Sequence, residues 1–422
     1  MFKKFQDKEF KQAVQGLQWW DLYSCEDPSR AAEILTSKLS SILDSMAPVR
    51  TIQVRTKYAP WLSDATKEPL KYRNSAQKLA SETKDPDDYR NFKSLRNQAT
   101  AKMRQEKATW EKLKLNSTKN DSSRLWKNIK SWLDWNNSGP PTRLFHDGRL
   151  ISSPAGIAGT MNSFFLGKIA GLRANIPNSV ADPLSKLREA MSDRQCSFSM
   201  GSVHPDEVLK IIRNLKNSKS TGTDDIDTYV VKLVADEIVA PLTHIINISI
   251  QRSIFPSMWK HAKVVPLLKK GDPLIPKNYR PVALLPIFSK ILERVVFNQL
   301  VRYLDSNSLI HPNHHGSRAG HSTATALIQM YDSWAEEVDR GNMVGVMMVD
   351  LSAAFDMVDY NLLLQKLEVF GLDSGAVAWM RSYLEGRQQS VLVDGSLSPP
   401  LSIECGVPPG FYSGTPDVYP LH

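Results

Sequence analysis

Apolar residues recur at steps of three and four along the first third of the chain. KQAVQGLQWWDLY and PSRAAEILTSKLSSILDSM each place them on one face, which predicts two amphipathic helices. Pro28 suits a first helical turn, and Pro48 follows the end of the second stretch. From Tyr89 to Leu133 the chain stays helical in character but turns polar and basic. NNSGPPTR (136–143) is a run of breakers and predicts a boundary. LFHDGRLISS then predicts a short hairpin turning at Asp147–Gly148, and PNSVADPLSK (177–186) reads as loop. From about Cys196 apolar runs alternate with Gly/Pro turns and charged clusters, the texture of a mixed α/β domain. The pattern thus divides the chain into a helical, linker-like region over 1–135, a connecting segment over 136–195 and an α/β (α+β) domain over 196–422.

One stretch of that domain raises a chemical question. Met343–Val349 is mostly apolar and reads as a buried strand, and Asp350 follows it directly. A carboxylate at a strand end can face a cleft while the strand holds it rigid, and magnesium favours such hard oxygen ligands. Two cations about 4 Å apart would stabilise both the attacking and the leaving oxygen of a phosphoryl transfer. One carboxylate cannot hold both. Alternatively, Asp350 caps the turn SAAFD.

Charge narrows the partners. The formal net charge is +9, which favours an anionic partner such as nucleic acid or an acidic membrane. Between residues 101 and 130 nine Lys or Arg stand against three acidic residues, with Trp110 and Trp126 among them and Trp132 and Trp135 just beyond. Lys112, Trp126, Lys127 and Lys130 are therefore candidates for a phosphate-tracking, base-stacking surface. The same pattern also describes a solvated helix whose tryptophans pack on a core. Three scattered cysteines give neither a disulfide framework nor a zinc spacing. His311, His314, His315 and His321 cluster, but without acidic or cysteine partners at ligand spacing. No apolar run approaches the roughly 20 residues that span a bilayer, and MFKKFQDKEFKQ lacks the core of a signal peptide. The expectation is an intracellular protein of nucleus or cytoplasm, neither secreted nor bound to a membrane.

DLSAAFDMVD resembles the first catalytic motif of the reverse transcriptases of non-LTR retrotransposons, in particular the jockey-like and LINE-like class. The resemblance is ordered and runs from about Asn214 to Gly410. NLKNSKSTGTDDIDTYVVKL is similar to the opening fingers motif, and FPSMWKHAKVVPLLKKGDPLIPKNYRPVALLPIFSKILERVVFNQLVRYL to the long second one. HGSRAGHSTATAL and GRQQSVLVDGS…ECGVPPG are similar to the motifs on either side of the catalytic strand. The resemblance implies polymerase fingers and a partial palm preceded by a mainly helical region. It implies an RNA-directed DNA polymerase, a nucleotidyltransferase using Mg2+ or Mn2+, an RNA template, a DNA primer and deoxynucleoside triphosphates.

It also assigns roles. Asp350 corresponds to the metal-binding catalytic aspartate and Phe355 to the bulky residue crowding the sugar 2′ position. Arg280, in NYRP, corresponds to the fingers arginine that pairs with the triphosphate, which suits a guanidinium fork. Lys269 and Lys270 are candidates for the accompanying lysine, or a solvated charge pair. Arg318 is expected against template or triphosphate. Asp356 and Asp359 lie at the turn and helix start, Asp356 reading as a structural cap rather than a metal ligand, and TDDID (223–227) reads as turn and helix capping. SKILERVVFNQLVRYL reads as an amphipathic helix with its stripe in the core.

The departures from the family are as plain. Its later hairpin with paired aspartates and its thumb are not found, nor is an upstream endonuclease. GVPPGFYSGTPDVYPLH stands where the family reads GVPQGS, so 411–422 looks like an aberrant tail. An incomplete chain without polymerase activity of its own is expected. The alternatives are a non-catalytic nucleic-acid-binding remnant, or a metal nuclease that would need Asp350, Asp356 and Asp359 to converge.

Overall fold

The computed structural model describes residues 5–48, 59, 61–118, 121–132, 140–177, 181–316 and 318–407. They belong to two compact units, Met1–Val49 with Pro140–His422, and Arg50–Gly139. The N-terminal helices that the sequence groups with the linker-like region therefore lie in the same unit as the α/β domain.

In the larger unit, helix Pro28–Met46 starts where the Asp27 carboxylate accepts a hydrogen bond from Ser29 N–H (3.0 Å), with Pro28 in the first turn. Its Ala31, Leu35 and Leu39 are fully buried in one core with Leu242 and Ile246 of helix Ala235–Arg252 and Phe288, Ile291 and Leu292 of helix Ile287–Ser306. KQAVQGLQWWDLY does not form a single helix. It splits into Asp7–Gln15 and Trp20–Tyr23, broken after Gly16, the residue least able to hold a helix together. The expected hairpin is present: β1 (Leu144–His146) and β2 (Arg149–Ile151) pair antiparallel, with Asp147 and Gly148 both at positive φ, as a type I′ turn requires.

Five further strands make one sheet. β3 (His261–Leu268) pairs antiparallel with β4 (Tyr279–Leu284) and parallel with β5 (Arg387–Val393). β5 also pairs antiparallel with β6 (Ser396–Leu397) and β7 (Leu401–Ile403). Burial along β3 alternates, putting Ala262 and Val264 into a second core with Val391 and Val393 of β5 and Ile157, Met161 and Phe165 of helix Pro154–Ala174. That helix is fixed to the sheet by Asn162, whose amide is buried between Gln389 and Ser398.

Met343–Val349 is not a strand. It is irregular and largely exposed: Met343 is 99%, Met347 87% and Met348 82% accessible. Apolar content alone does not make a strand, because backbone N–H and C=O groups need a pairing neighbour. Among the described residues no strand lies alongside this segment. Leu327, Ile328 and Tyr331 on helix Thr323–Asp339 are exposed as well, and no residue of that helix is buried. Replacing Met347 and Met348 by Lys is expected to lower self-association without lowering the urea midpoint. Analytical ultracentrifugation and chemical denaturation check this; a large loss of stability would mean the segment is packed after all.

The TDDID stretch serves structure. The Asp227 carboxylate caps helix Thr228–Leu233 through Val230 N–H (2.9 Å), and Asp225 pairs with Lys263 of β3 (2.6 Å). Gly222 lies so near the end of β4 that a Cβ there would sit 2.4 Å from Pro286 N. Asp224 is different: its Oδ2 is buried with no hydrogen-bond partner among the described residues, and burial pushes its pKa up to about 6. An acid whose folded pKa lies above its unfolded value binds more protons in the native state, so stability falls as pH rises between the two. Asp224→Asn is thus expected to flatten the loss of stability between about pH 4 and 6, a loss of up to roughly 3 kcal/mol. Urea denaturation across that range measures it; an unchanged pH profile would contradict the assignment.

The Arg50–Gly139 unit is simpler. Helices Asp64–Thr83 and Pro86–Asn116 run antiparallel, joined at Lys84 in the left-handed region and stapled by Ser63 Oγ donating to Glu106 (2.6 Å). Their seam is thin, with Thr66, Ala76 and Ala99 buried. Helix Ser122–Trp132 follows.

Candidate nucleotide-binding face

The β3–β4 hairpin gathers three of the candidate cations. Its register sets Arg280 opposite Leu267, and Lys269 N–H donates to Asn278 O (2.8 Å), continuing the ladder by one pair. Arg280 and Lys269 are consequently diagonal neighbours on one exposed face, a spacing of about 7–8 Å that long side chains bridge. Lys270 follows at the loop. The loop is held in one shape by Gly271 at φ 83°, by Asn278 donating to Asp272 O (2.8 Å) and by the Tyr279 hydroxyl donating to Pro273 O (2.8 Å). Phe145 N–H of β1 donates to Leu274 O (2.8 Å), which ties the loop to the small hairpin. Two or three cations on a fixed loop can hold a polyphosphate.

The residues around Asp350 have a different character. Asp350 is exposed on the irregular segment. Ala353, at φ 54°, reverses the chain into a 3-10 turn at Phe355–Met357, leaving Phe355 43% accessible. That turn is clasped from the far end of the chain: Val407 N–H donates to Phe355 O (2.9 Å) and Gly406 N–H to Val358 O (2.9 Å). A Cβ on Gly406 would lie 2.6 Å from Asp356 O, and its φ is 86°, so a glycine is required at this approach.

Asp356, expected to cap a helix, makes no cap bond; the short turn it lies in starts before it. The cap is Asp359, which accepts from Leu362 N–H (3.1 Å) at the start of helix Tyr360–Val369. Asp359 also accepts from Arg173 (2.8 Å), at the end of helix Pro154–Ala174. The helix N-terminus and the guanidinium together hold its carboxyl below the usual range. Lys168, one helical turn and a half before Arg173, lies in electrostatic reach of Asp356. Neither Arg173 nor Lys168 was found by sequence reasoning, since no motif links positions 186 residues apart.

Of the remaining candidates, Arg318 forms an ion pair with Asp305 (3.6 Å) and is partly buried. Lys112 and Trp126 are exposed on the smaller unit, whereas the side chains of Lys127 and Lys130, with Trp132 and Trp135, lie outside the described residues. Among the described residues no three His, Cys, Asp or Glu come together to hold a metal ion, and this includes the histidines near 315.

Residues 267–415, which include the hairpin's loop with Lys269, Lys270 and Arg280, Asp350 and the clasped turn, match the reverse transcriptase (RNA-dependent DNA polymerase) family. This segment is a reverse transcriptase domain. The RNA-directed DNA polymerase from the mobile element jockey of Drosophila funebris is 31% identical over 228 residues, 54% of this chain and 25% of that protein. Its counterpart from jockey of Drosophila melanogaster is 31% identical over 245 residues, 58% of this chain and 26% of the relative. A probable RNA-directed DNA polymerase from the Drosophila melanogaster transposon BS is 28% identical over 221 residues, 52% and 24% of the two chains. The reverse transcriptase domain is thus of the jockey-like, non-LTR kind, and the chain spans about a quarter of the length of these relatives.

The Asp359 cap makes a direct prediction for the domain. Asp359→Ala removes a cap and is expected to cost about 0.5–2 kcal/mol at pH 7. Because the folded pKa is depressed, that stabilisation is present above the unfolded pKa and is lost as pH falls through the folded value. The difference between mutant and wild type in urea midpoints should therefore shrink on acidification; a pH-independent difference would argue against the ionised cap.

Proposed function

We propose that the β3–β4 hairpin binds the triphosphate of an incoming deoxynucleotide, within the fingers and partial palm of an RNA-directed DNA polymerase. The reaction is attack of a primer 3′-hydroxyl on a deoxynucleoside triphosphate, templated by RNA, with release of pyrophosphate. Arg280 with Lys269 and Lys270 would pair with phosphate oxygens, and Phe355 would crowd a ribose 2′-hydroxyl. The observation that best supports this reading is that the cations at the loop end of one ordered hairpin fall inside the family-matched segment.

Divalent cations, Mg2+ or Mn2+, would supply charge stabilisation at the transferring phosphorus in such chemistry. Asp350 alone among the candidates would ligate them. It stands exposed, and the described residues hold no group of three ligands, so by themselves they do not form a two-cation centre. The same observation favours, as a second reading, nucleic-acid binding without catalysis.

Two measurements separate the readings. Fluorescent deoxynucleotide binding should weaken at least about tenfold in Arg280→Ala, as charge-assisted hydrogen bonds contribute about 1.5–3 kcal/mol. Unchanged affinity would remove the hairpin from the site. Primer extension by this chain on a poly-A template with magnesium should not exceed that of Asp350→Ala; incorporation above that control would overturn the second reading and show that a working cation centre assembles.

A further inference from the structure

The excess positive charge of the chain belongs to one unit. Arg50–Gly139 holds 20 of the 53 Lys and Arg and 10 of the 44 Asp and Glu. This unit is formally +10, and the remainder of the chain, with the reverse transcriptase domain, is −1.

Within the unit the charge is ordered. Along helix Pro86–Asn116 the positions Tyr89, Lys93, Arg96, Thr100, Arg104, Lys107, Glu111 and Lys114 follow one another at steps of three and four. Such positions form a single stripe, here on a helix about 46 Å long. Five of the eight are basic and one is acidic. Lys93, Arg96, Arg104 and Lys107 are all exposed. Elsewhere in the unit some charges are paired, Lys67 with Asp64 (2.6 Å), Lys78 with Glu82 (3.9 Å) and Arg124 with Asp121 (3.1 Å). On the stripe Glu111 meets Lys107 (3.8 Å), whereas Lys93, Arg96 and Arg104 have no acidic partner within ion-pair distance among the described residues.

Aromatic rings accompany the charge. Tyr89 opens the stripe at 59% accessible, and Tyr72 of the facing helix is 64% accessible. Exposed rings beside unneutralised cations offer stacking platforms that only unpaired bases can use. A membrane-surface helix would need a broad apolar face opposite its charges. On this helix the side opposite the stripe is polar and exposed, with Asn91, Gln98, Gln105 and Thr109.

We propose that the stripe of helix Pro86–Asn116 is a binding track for single-stranded nucleic acid, separate from the nucleotide-binding face. It involves a different face of the unit from Lys112, and it rests on charge and exposed rings rather than on the polymerase reading. The track leaves the polymerase domain to do chemistry with little net charge of its own, and the Arg50–Gly139 unit supplies most of the affinity for a strand.

The test uses the full 422-residue chain and an unstructured labelled RNA 20-mer, with a duplex of equal length, in fluorescence anisotropy from about 50 to 200 mM salt. Replacing Lys93, Arg96, Arg104 and Lys107 together by Gln should lower the slope of log K against log salt by about 3, at about 0.7 per phosphate contact. Replacing Lys8, Lys186 and Lys210 of the other unit by Gln should leave the slope as it was. Tyr89→Ala should weaken single-strand binding several-fold with the slope unchanged, a readout that does not depend on the charge variant. Circular dichroism verifies that the helix survives each change. A stripe variant that keeps the wild-type slope, a duplex bound as tightly as the single strand, or equal preference for anionic lipid vesicles would each overturn the proposal.

Discussion

The parallel pairing of β3 with β5 is the constraint from which the polymerase domain follows. Two parallel neighbours cannot be joined by a turn, so everything between Leu268 and Arg387 must cross over and return. That excursion contains β4, the core helix Ile287–Ser306, the Asp350 segment and helices Tyr360–Val369 and Ser374–Leu384. Where it re-enters, Arg387 brings a guanidinium into the interior at 2% accessibility. The charge is held by a hydrogen bond to Tyr383 O (2.8 Å) and by lying over the rings of Tyr383 (4.8 Å) and Phe255 (5.8 Å). Glu293 of the core helix is buried close enough to feel it, although desolvation outweighs that attraction and raises its pKa. A buried cation so arranged leaves little freedom for β5 to slip, since a shift of one residue would turn it out of its pocket.

The same crossover explains why the two halves of the candidate site differ in order. The β3–β4 hairpin has its backbone groups satisfied by its own ladder, and its loop is fastened at Asn278, Tyr279 and Leu274. With β5 paired to β3 and β1 fastened to its loop, it presents Arg280 and Lys269 on an ordered frame. Asp350 has no ladder. Among the described residues its surroundings are fastened downstream, where Gly406 and Val407 clasp the Phe355 turn and Arg173 holds Asp359. The phosphate recognition proposed for the hairpin and the placement of Asp350 therefore depend on different parts of the fold, and loss of one need not abolish the other.

Local signals were legible in the sequence and partnerships were not. Helix Pro28–Met46, the Asp147–Gly148 hairpin and the Asp227 cap are each encoded within a few residues, by a proline and an Asx cap, by a turn pair, or by a capping carboxylate. Motif order identified the family because it spans many such local pieces. Met343–Val349 misled for a physical reason: an apolar run states that burial is favourable but not what will bury it. Arg173 with Asp359 lies at the opposite extreme, an ion pair between distant elements that neither periodicity nor spacing could announce.

Charge adds what pattern could not. The sequence placed an anionic partner on the basic stretch at 101–130, and the net +9 of the whole chain did not show how the rest of the charge is divided. Divided between the two units, it leaves the one with the reverse transcriptase domain at −1 and the Arg50–Gly139 unit, built on a helical hairpin, at +10. The hairpin buries little, so its cations are not there to stabilise a core: i,i+4 pairs would do that with equal numbers of acids. A thin seam, a long exposed stripe and unmatched charge together impose a cost in self-repulsion. Binding a polyanion relieves that cost, which is why the proposed strand suits the unit's composition.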